Sequence, residues 1–117
     1  MKILIVDDNK QMRKTIRSII TEQIDIVEES ENGEQAFSIF KTFCPDWVIL
    51  DYDMHHKDGI STLKEIIHFD STAKVLIVSL YNDSDIIESA LNAGAISFIN
   101  KKNLIEVKKI IMNKNFI

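Results

Sequence analysis

Residues 3–8 read Ile-Leu-Ile-Val-Asp-Asp, so four apolar residues run directly into two adjacent carboxylates. Continuous apolar runs of this kind are typical of strands buried on both faces, which belong to parallel sheets covered by helices. Three further runs end at a polar group: residues 47–50 at Asp51, 75–78 at Ser79 and 98–100 at Lys101. In such sheets, ligands bind beyond the carboxyl ends of the strands. We therefore expect three carboxylates, a hydroxyl and an ammonium group to converge at one edge.

Helical patterns lie between these runs, and a fifth apolar run lies near residues 24–27. Residues that favour helix boundaries flank the patterns: Asn9 before the first, Asn32-Gly33 before the second, Asp58-Gly59 before the third, Gly94 after the fourth, and Asn103 with Glu106 at the start of the fifth. Alternating strands and helices with right-handed crossovers predict an α/β fold. The predicted architecture is a flavodoxin-like, doubly wound three-layer sandwich, with a five-stranded parallel sheet in the order 2-1-3-4-5 and five helices.

The bulk properties are those of one compact domain, which we expect to cover residues 1–117. The chain has 117 residues, a net charge of −4 and one cysteine, Cys44. A lone cysteine forms no internal disulfide, which favours a reducing, cytoplasmic setting. The acidic balance argues against direct nucleic-acid binding by this chain. No apolar run approaches the roughly 20 residues that span a bilayer, so we expect no membrane partner.

The predicted sheet places its first and third strands side by side, where the winding direction reverses. Asp7 and Asp8 then lie next to Asp51. Three carboxylates at such short range repel one another and tend to take up protons. A divalent cation removes that conflict, and an all-oxygen, partly hydrated site suits Mg²⁺, which commonly accompanies a phosphate. The pattern therefore predicts a magnesium site that handles a phosphoryl group.

Taken together, these motifs resemble the response-regulator receiver domains of two-component signalling, a histidine-to-aspartate phosphorelay. The resemblance covers about residues 2–113. It rests on the acidic pair Asp7-Asp8, residues 49–54 followed by Asp58-Gly59, the hydroxyl of Ser79, and residues 93–101 with Lys101 at their end. Each motif alone is common, whereas their order and spacing together are specific.

The resemblance implies a phosphorylation-dependent signalling switch, not an enzyme. Asp51 would accept a phosphoryl group from a phosphohistidine on a sensor histidine kinase or a phosphotransfer protein. Asp7, Asp8, Asp51 and the backbone carbonyl of Asp53 would hold Mg²⁺ as the cofactor. Lys101 would pair first with the Asp51 carboxylate and then with a phosphoryl oxygen.

Two further residues would carry the switch in a protein of this family. Ser79 would turn inward to the phosphoryl group, and Phe98 would repack as that hydroxyl moves. The signal would leave through the fourth helix, the fifth strand and the fifth helix. It would reach an output protein, a tethered output domain outside this chain, or a second copy in a homodimer. Both a stand-alone receiver and the receiver part of a transcription regulator fit the sequence.

Asp53, Leu80, Tyr81 and His55 flank the predicted site. His55 stands where the family commonly has Pro, and Leu80 stands where it often has Ala or Gly. We expect the flanking side chains to tune the lifetime of the phosphorylated state. His55 beside His56 also allows a transition-metal site, although adjacent histidines in a polar loop are more often exposed.

Two other classes of protein share parts of this pattern. Residues 49–53 also look like the Asp-x-Asp motif of haloacid-dehalogenase-type phosphatases, in which Asp51 would attack phosphate and Asp53 would act as acid and base. In that family the metal-binding acidic pair comes late in the chain, whereas Asp7 and Asp8 come first here. A flavodoxin-type cofactor binder is disfavoured because the acidic first loop would repel a nucleotide phosphate. Multiple turnover on a small phosphate ester would favour the phosphatase.

Overall fold

Five parallel strands form one sheet in the order β2-β1-β3-β4-β5. We describe residues 1–54 and 58–113 of a computed structural model. The strands are β1 (Lys2–Val6), β2 (Ile26–Ser30), β3 (Trp47–Asp51), β4 (Val75–Ser79) and β5 (Ser97–Asn100). This order and the helices between the strands confirm the predicted flavodoxin-like fold. β1 and β3 are paired, with Val6 opposite Leu50, so their carboxyl ends lie side by side.

Five α-helices connect the strands: α1 (Lys10–Ile20), α2 (Gly33–Phe43), α3 (Gly59–Phe69), α4 (Ser84–Asn92) and α5 (Ile105–Met112). The predicted cap Asn9 accepts a hydrogen bond from the backbone N–H of Met12, and Asn32 and Asp58 cap α2 and α3 in the same way. These side-chain oxygens satisfy N–H groups that a helix leaves unpaired in its first turn. No helix in the described part of the chain has the length and apolar character needed to cross a membrane.

Two apolar layers hold the helices against opposite faces of the sheet. Alternate residues of one strand enter different layers: Leu4 and Val6 pack with residues of α2 and α3, whereas Ile3 and Ile5 pack with residues of α1 and α5. All four side chains are fully buried. Each contributes about 1.5–3 kcal/mol through burial, so the sheet is stabilised mainly away from its polar edge.

The second strand and the start of the fifth helix differ from the predictions. β2 covers Ile26–Ser30 and not residues 24–27, and Ile24 is 86% exposed. As an edge strand, β2 buries one side more than the other and lacks a continuous apolar run. The predicted cap Asn103 instead ends a short 3₁₀ turn, and α5 has no side-chain cap.

Candidate functional site

Three carboxylates meet at the carboxyl edge of the sheet. Asp7 follows β1, Asp51 ends β3, and Asp8 comes next to Asp7 in the loop that leads to α1. One oxygen from each carboxylate lies within 4.8 Å of the others. Asp7 and Asp51 are almost completely buried, with 0% and 1% of their surface exposed. The predicted convergence of these acids is therefore present in the structure.

Lys101 reaches this cluster from the 3₁₀ turn after β5. Its Nζ lies 2.9 Å from Asp51 Oδ1 and 3.0 Å from Asp7 Oδ2, and its side chain is only 7% exposed. A long flexible side chain is required because β4 separates β5 from β3 in the sheet. One ammonium group thus bridges two buried carboxylates that would otherwise repel each other.

The single positive charge of Lys101 does not neutralise the negative charge of the three carboxylates. Three carboxylates face one lysine, which leaves a formal charge of about minus two at neutral pH. Asp51 Oδ1 contacts Lys101 and also accepts a hydrogen bond from the backbone N–H of Asp53 at 3.0 Å. Asp51 Oδ2 is buried and has no hydrogen-bond partner among the described residues. An unpaired buried carboxylate oxygen is costly, so this atom is a natural ligand for a cation or an electrophile.

The electrostatics of the cluster shift two pKa values. Burial raises the pKa of Asp51 to about 6, helped by the nearby Asp7 carboxylate and opposed by the hydrogen bond with Lys101. Burial opposes the charge on Lys101, but the hydrogen bond and charge of Asp51, with the charge of Asp7, raise its pKa overall. The lysine therefore stays protonated, whereas Asp51 ionises at a higher pH than a free carboxyl group and is still mainly ionised at neutral pH.

The donor set fits Mg²⁺. Asp7, Asp8 and Asp51 offer carboxylate oxygens, which Mg²⁺ prefers, and Asp51 Oδ2 has no hydrogen-bond partner among the described residues. A divalent charge matches the excess negative charge of the cluster. When bound, the cation would neutralise the carboxylates and the oxygens of an incoming phosphoryl group. A role for the backbone carbonyl of Asp53 as a further ligand stays a prediction.

Ser79 lies at the end of β4, close to the acids, and is fully buried. Its hydroxyl donates a hydrogen bond to Asp53 Oδ2 at 3.1 Å and accepts one from the backbone N–H of Tyr81 at 3.0 Å. The structure therefore brings Ser79 to the predicted edge, with its proton directed at Asp53. Its predicted role toward a phosphoryl group stays a prediction.

The remaining predicted residues lie at different depths. Leu80 and Tyr81 are 53% and 58% exposed and line a cleft of about 400 Å³ together with the acids and Lys101. Phe98 is half-buried and packs against the apolar layer that contains α2 and α3. His55 lies outside the described residues, as does the suggested histidine pair with His56.

Sequence reasoning missed the residues that position Asp7. Arg13 Nη1 donates to the Asp7 carbonyl at 2.7 Å, and Arg13 Nε donates to Glu29 at 2.9 Å. The backbone N–H of Asp7 donates to the Ser30 carbonyl at 3.0 Å. An arginine on the polar face of a helix carries no sequence signal for such contacts, because its partners are the Asp7 carbonyl just after β1 and the Glu29 side chain in β2.

Gly59 was predicted only as part of a turn, yet it controls how closely α3 approaches β3, the strand that ends at Asp51. A Cβ at this position would clash with the carbonyl oxygen of Asp51 and would lie 2.8 Å from the Cα of Tyr52. The Gly59 N–H also donates to the Tyr52 carbonyl at 3.0 Å. A side chain here would therefore displace the backbone that carries Asp51.

Replacing Gly59 with alanine should both destabilise the protein and disturb the acidic cluster. We expect a loss of about 1–3 kcal/mol in the free energy of unfolding, as for other overpacked sites. We also expect weaker Mg²⁺ binding. Gly94→Ala is the matched control, because Gly94 has a φ of +111° and packs on Ile67, in a contact that does not involve Asp51. Denaturant unfolding and Mg²⁺ titration should show lost stability in both variants, and equal loss of Mg²⁺ affinity would contradict the assigned role of Gly59.

Mg²⁺ binding should depend on pH in a range set by Asp51. Its pKa is about 6 in the folded protein and 3.8 in a free chain, so the native state binds this proton more tightly. In the metal-free protein this group therefore lowers stability as pH rises from about 4 to 6, and its effect is constant above that range. Below about pH 6, Mg²⁺ must displace the proton, so its affinity should fall by up to about tenfold per pH unit. Calorimetric Mg²⁺ titrations at several pH values would measure this, with Asp51→Asn as a control that lacks the titrating group; equal affinity at about pH 5 and 7 would contradict it.

Comparisons with known proteins agree with the geometry. A family model described as the response regulator receiver domain matches residues 3–111. The chemotaxis protein CheY of Bacillus subtilis (strain 168) is 40% identical over 101 residues, which are 86% of this chain and 84% of that protein.

Solved structures show the same fold. A CheY-like receiver domain protein from Methanospirillum hungatei JF-1 matches with a TM-score of 0.86 at 22% identity, covering 94% of this chain and 89% of its own. The CheX-CheY-BeF3-Mg complex from Borrelia burgdorferi contains a chain that matches with a TM-score of 0.82 at 27% identity, covering 97% and 90%. With the acidic cluster and its lysine at the carboxyl edge of a 2-1-3-4-5 sheet, these matches show that the chain belongs to the receiver domain family of two-component signalling.

Proposed function

We propose that this chain is a phosphorylation-dependent switch in which Asp51 accepts a phosphoryl group in the presence of Mg²⁺. The donor would be a phosphohistidine on a sensor histidine kinase or a phosphotransfer protein. The observation that carries the proposal is Asp51 Oδ2, a buried carboxylate oxygen without a hydrogen-bond partner in the described ranges, beside an acidic cluster and Lys101. The chain would act as one receiver unit in a cytoplasmic setting.

The chemistry needs a nucleophile, charge neutralisation and positioning. A carboxylate oxygen of Asp51 forms a bond to phosphorus while the bond from phosphorus to the histidine nitrogen breaks, and that nitrogen keeps the electron pair. The product is an acyl phosphate on Asp51. Asp7 and Asp8 would hold Mg²⁺, which would neutralise negative charge on the phosphoryl group, and Lys101 would supply a second positive charge. No general base is needed once Asp51 is ionised.

Output would depend on residues that respond to the new phosphoryl group. We infer that Ser79 turns to donate its proton to a phosphoryl oxygen and that Phe98, half-buried on the neighbouring strand opposite Ile77, repacks. The surface formed by α4, β5 and α5 would transmit this change. On this surface Leu91 is 46% exposed and Ile105 is 49% exposed. Exposed apolar side chains suit contact with an output protein, a tethered output domain or a second copy.

The alternative of a haloacid-dehalogenase-type phosphatase gains no support from the site. That mechanism needs Asp53 as a proton donor and acceptor for the substrate, whereas the Asp53 carboxylate accepts the hydrogen bond of Ser79. The acidic pair also precedes the nucleophile in the chain. We therefore propose a single phosphoryl group held on Asp51, and not repeated turnover of a phosphate ester.

Asp51→Asn should abolish phosphorylation and leave the fold intact. Removing one charge from a crowded acidic site should raise the free energy of unfolding of the metal-free protein by about 1–2 kcal/mol at neutral pH. Intact-protein mass spectrometry after incubation with a small acyl-phosphate donor and Mg²⁺ would detect one phosphoryl group on the natural protein. The variant and a metal-chelated sample should show none.

Asp53→Asn is the matched control for this experiment, because it makes the same chemical change two residues away. It should retain the phosphoryl adduct. If Asp51→Asn formed as much phosphoryl adduct as the natural protein, another residue would be the acceptor, which would contradict the proposal.

Lys101→Ala should separate phosphorylation from the switch. Mg²⁺ should still bind, because the carboxylates remain and the competing ammonium group is gone. The amide signals of the loop between β4 and α4 should no longer shift when Mg²⁺ and beryllofluoride, a mimic of the phosphoryl group, are added. NMR spectra would measure this, with the exposed neighbour Lys102→Ala as the control. Loss of Mg²⁺ binding in Lys101→Ala would show that the lysine has a different role.

A further inference from the structure

The hydroxyl of Ser79 has a single proton, and that proton already takes part in a hydrogen bond. It is donated to Asp53 Oδ2 at 3.1 Å, while the hydroxyl oxygen accepts from the N–H of Tyr81. Ser79 is fully buried, whereas Asp53 is half-buried and lines the cleft beside the acids, so the bond is shielded from solvent on the serine side. A hydroxyl that donates to one carboxylate cannot donate to a phosphoryl oxygen at the same time.

Asp53 is connected to the phosphoacceptor as well as to Ser79. Its backbone N–H donates to Asp51 Oδ1 at 3.0 Å, and its side chain accepts from Ser79. One residue therefore joins the nucleophile at the end of β3 to the hydroxyl at the end of β4. A charged acceptor strengthens a hydrogen bond, and at 3.1 Å this bond is longer than the roughly 2.5–2.7 Å of the strongest hydroxyl–carboxylate pairs, so a phosphoryl oxygen can compete for the proton.

We propose that Asp53 is a positioning residue that restrains Ser79 in the resting arrangement, so that the phosphoryl group must compete with the Asp53 carboxylate for the Ser79 proton. This inference rests on the proposed function, in which Ser79 responds to phosphorylated Asp51. Both competitors are anions that accept the same hydrogen bond. The strength of the bond between Ser79 and Asp53 then sets how much of the unphosphorylated protein already has the hydroxyl turned to the site.

Two effects of the Asp53 carboxylate must be separated. Its negative charge would repel a phosphoryl group whether or not it holds Ser79, whereas the restraint exists only when the hydroxyl is present. A double-mutant cycle distinguishes them, because a pairwise interaction disappears when either partner is removed. The variants are Asp53→Ala, Ser79→Ala and the double substitution, with Asp53→Asn as a neutral side chain that still offers an acceptor oxygen.

The first measurement is the binding of beryllofluoride, a mimic of the phosphoryl group, in the presence of Mg²⁺. If the restraint operates, Asp53→Ala binds about tenfold more tightly than the natural protein, in keeping with the loss of one hydrogen bond to a charged group. Asp53→Asn falls between the two. In the Ser79→Ala background the same replacement of Asp53 produces a much smaller gain. An equal gain in both backgrounds would mean that charge repulsion alone acts, which overturns the restraint.

The second measurement needs no phosphoryl group. The N–H of Tyr81 donates to the Ser79 oxygen, so its NMR signal reports the position of the hydroxyl in the metal-free protein. In Asp53→Ala this signal should already lie part of the way toward its position in the beryllofluoride complex. An unchanged signal overturns the restraint. Failure of the natural protein to be phosphorylated on Asp51 would overturn the proposed function instead. The Tyr81 signal of the unphosphorylated protein tests the restraint alone, so the two failures can be distinguished.

Discussion

The Lys101 ammonium group is the constraint on which the site depends. It contacts Asp51 and Asp7 at 2.9 Å and 3.0 Å, and all three side chains are more than nine-tenths buried. The parallel pairing of β1 with β3 forces the two carboxylates together, so the sheet itself creates the repulsion. Because buried charges are tolerated only when paired, the residue after β5 is tied to the ends of two other strands.

Stability and chemistry are placed in different parts of the molecule. Two apolar layers on the faces of the sheet supply most of the stabilisation, whereas the carboxyl edge keeps an excess of negative charge. The raised pKa of Asp51 is the sign of that excess, and burial is its largest cause. Three carboxylates and one lysine leave this edge two negative charges from neutrality, which equals the charge of one divalent cation.

The sequence predicted what depends on local pattern. The apolar runs before Asp7, Asp51 and Ser79 located three strands and the polar edge, because central strands are buried on both faces. The prediction misplaced β2 because an edge strand lacks such a run. The Ser30 carbonyl at the end of β2 accepts a hydrogen bond from the Asp7 N–H, and a backbone contact of this kind leaves no pattern of side chains in the sequence. The contact of Arg13 with the Asp7 carbonyl depends likewise on tertiary geometry.

Two chains of contacts leave the groups that would meet a phosphoryl group, and they reach the same loop. One runs from Asp51 through Asp53 and Ser79 to the N–H of Tyr81. The other begins beside Lys101, where the Asn100 amide donates to the side chain of Asn82 at 3.0 Å. The loop between β4 and α4 is thus held from both sides of the site. A change in charge at Asp51 would act on the first chain through Asp53, and a shift of Lys101 would act on the second through its neighbour Asn100, so both routes lead to the loop between β4 and α4.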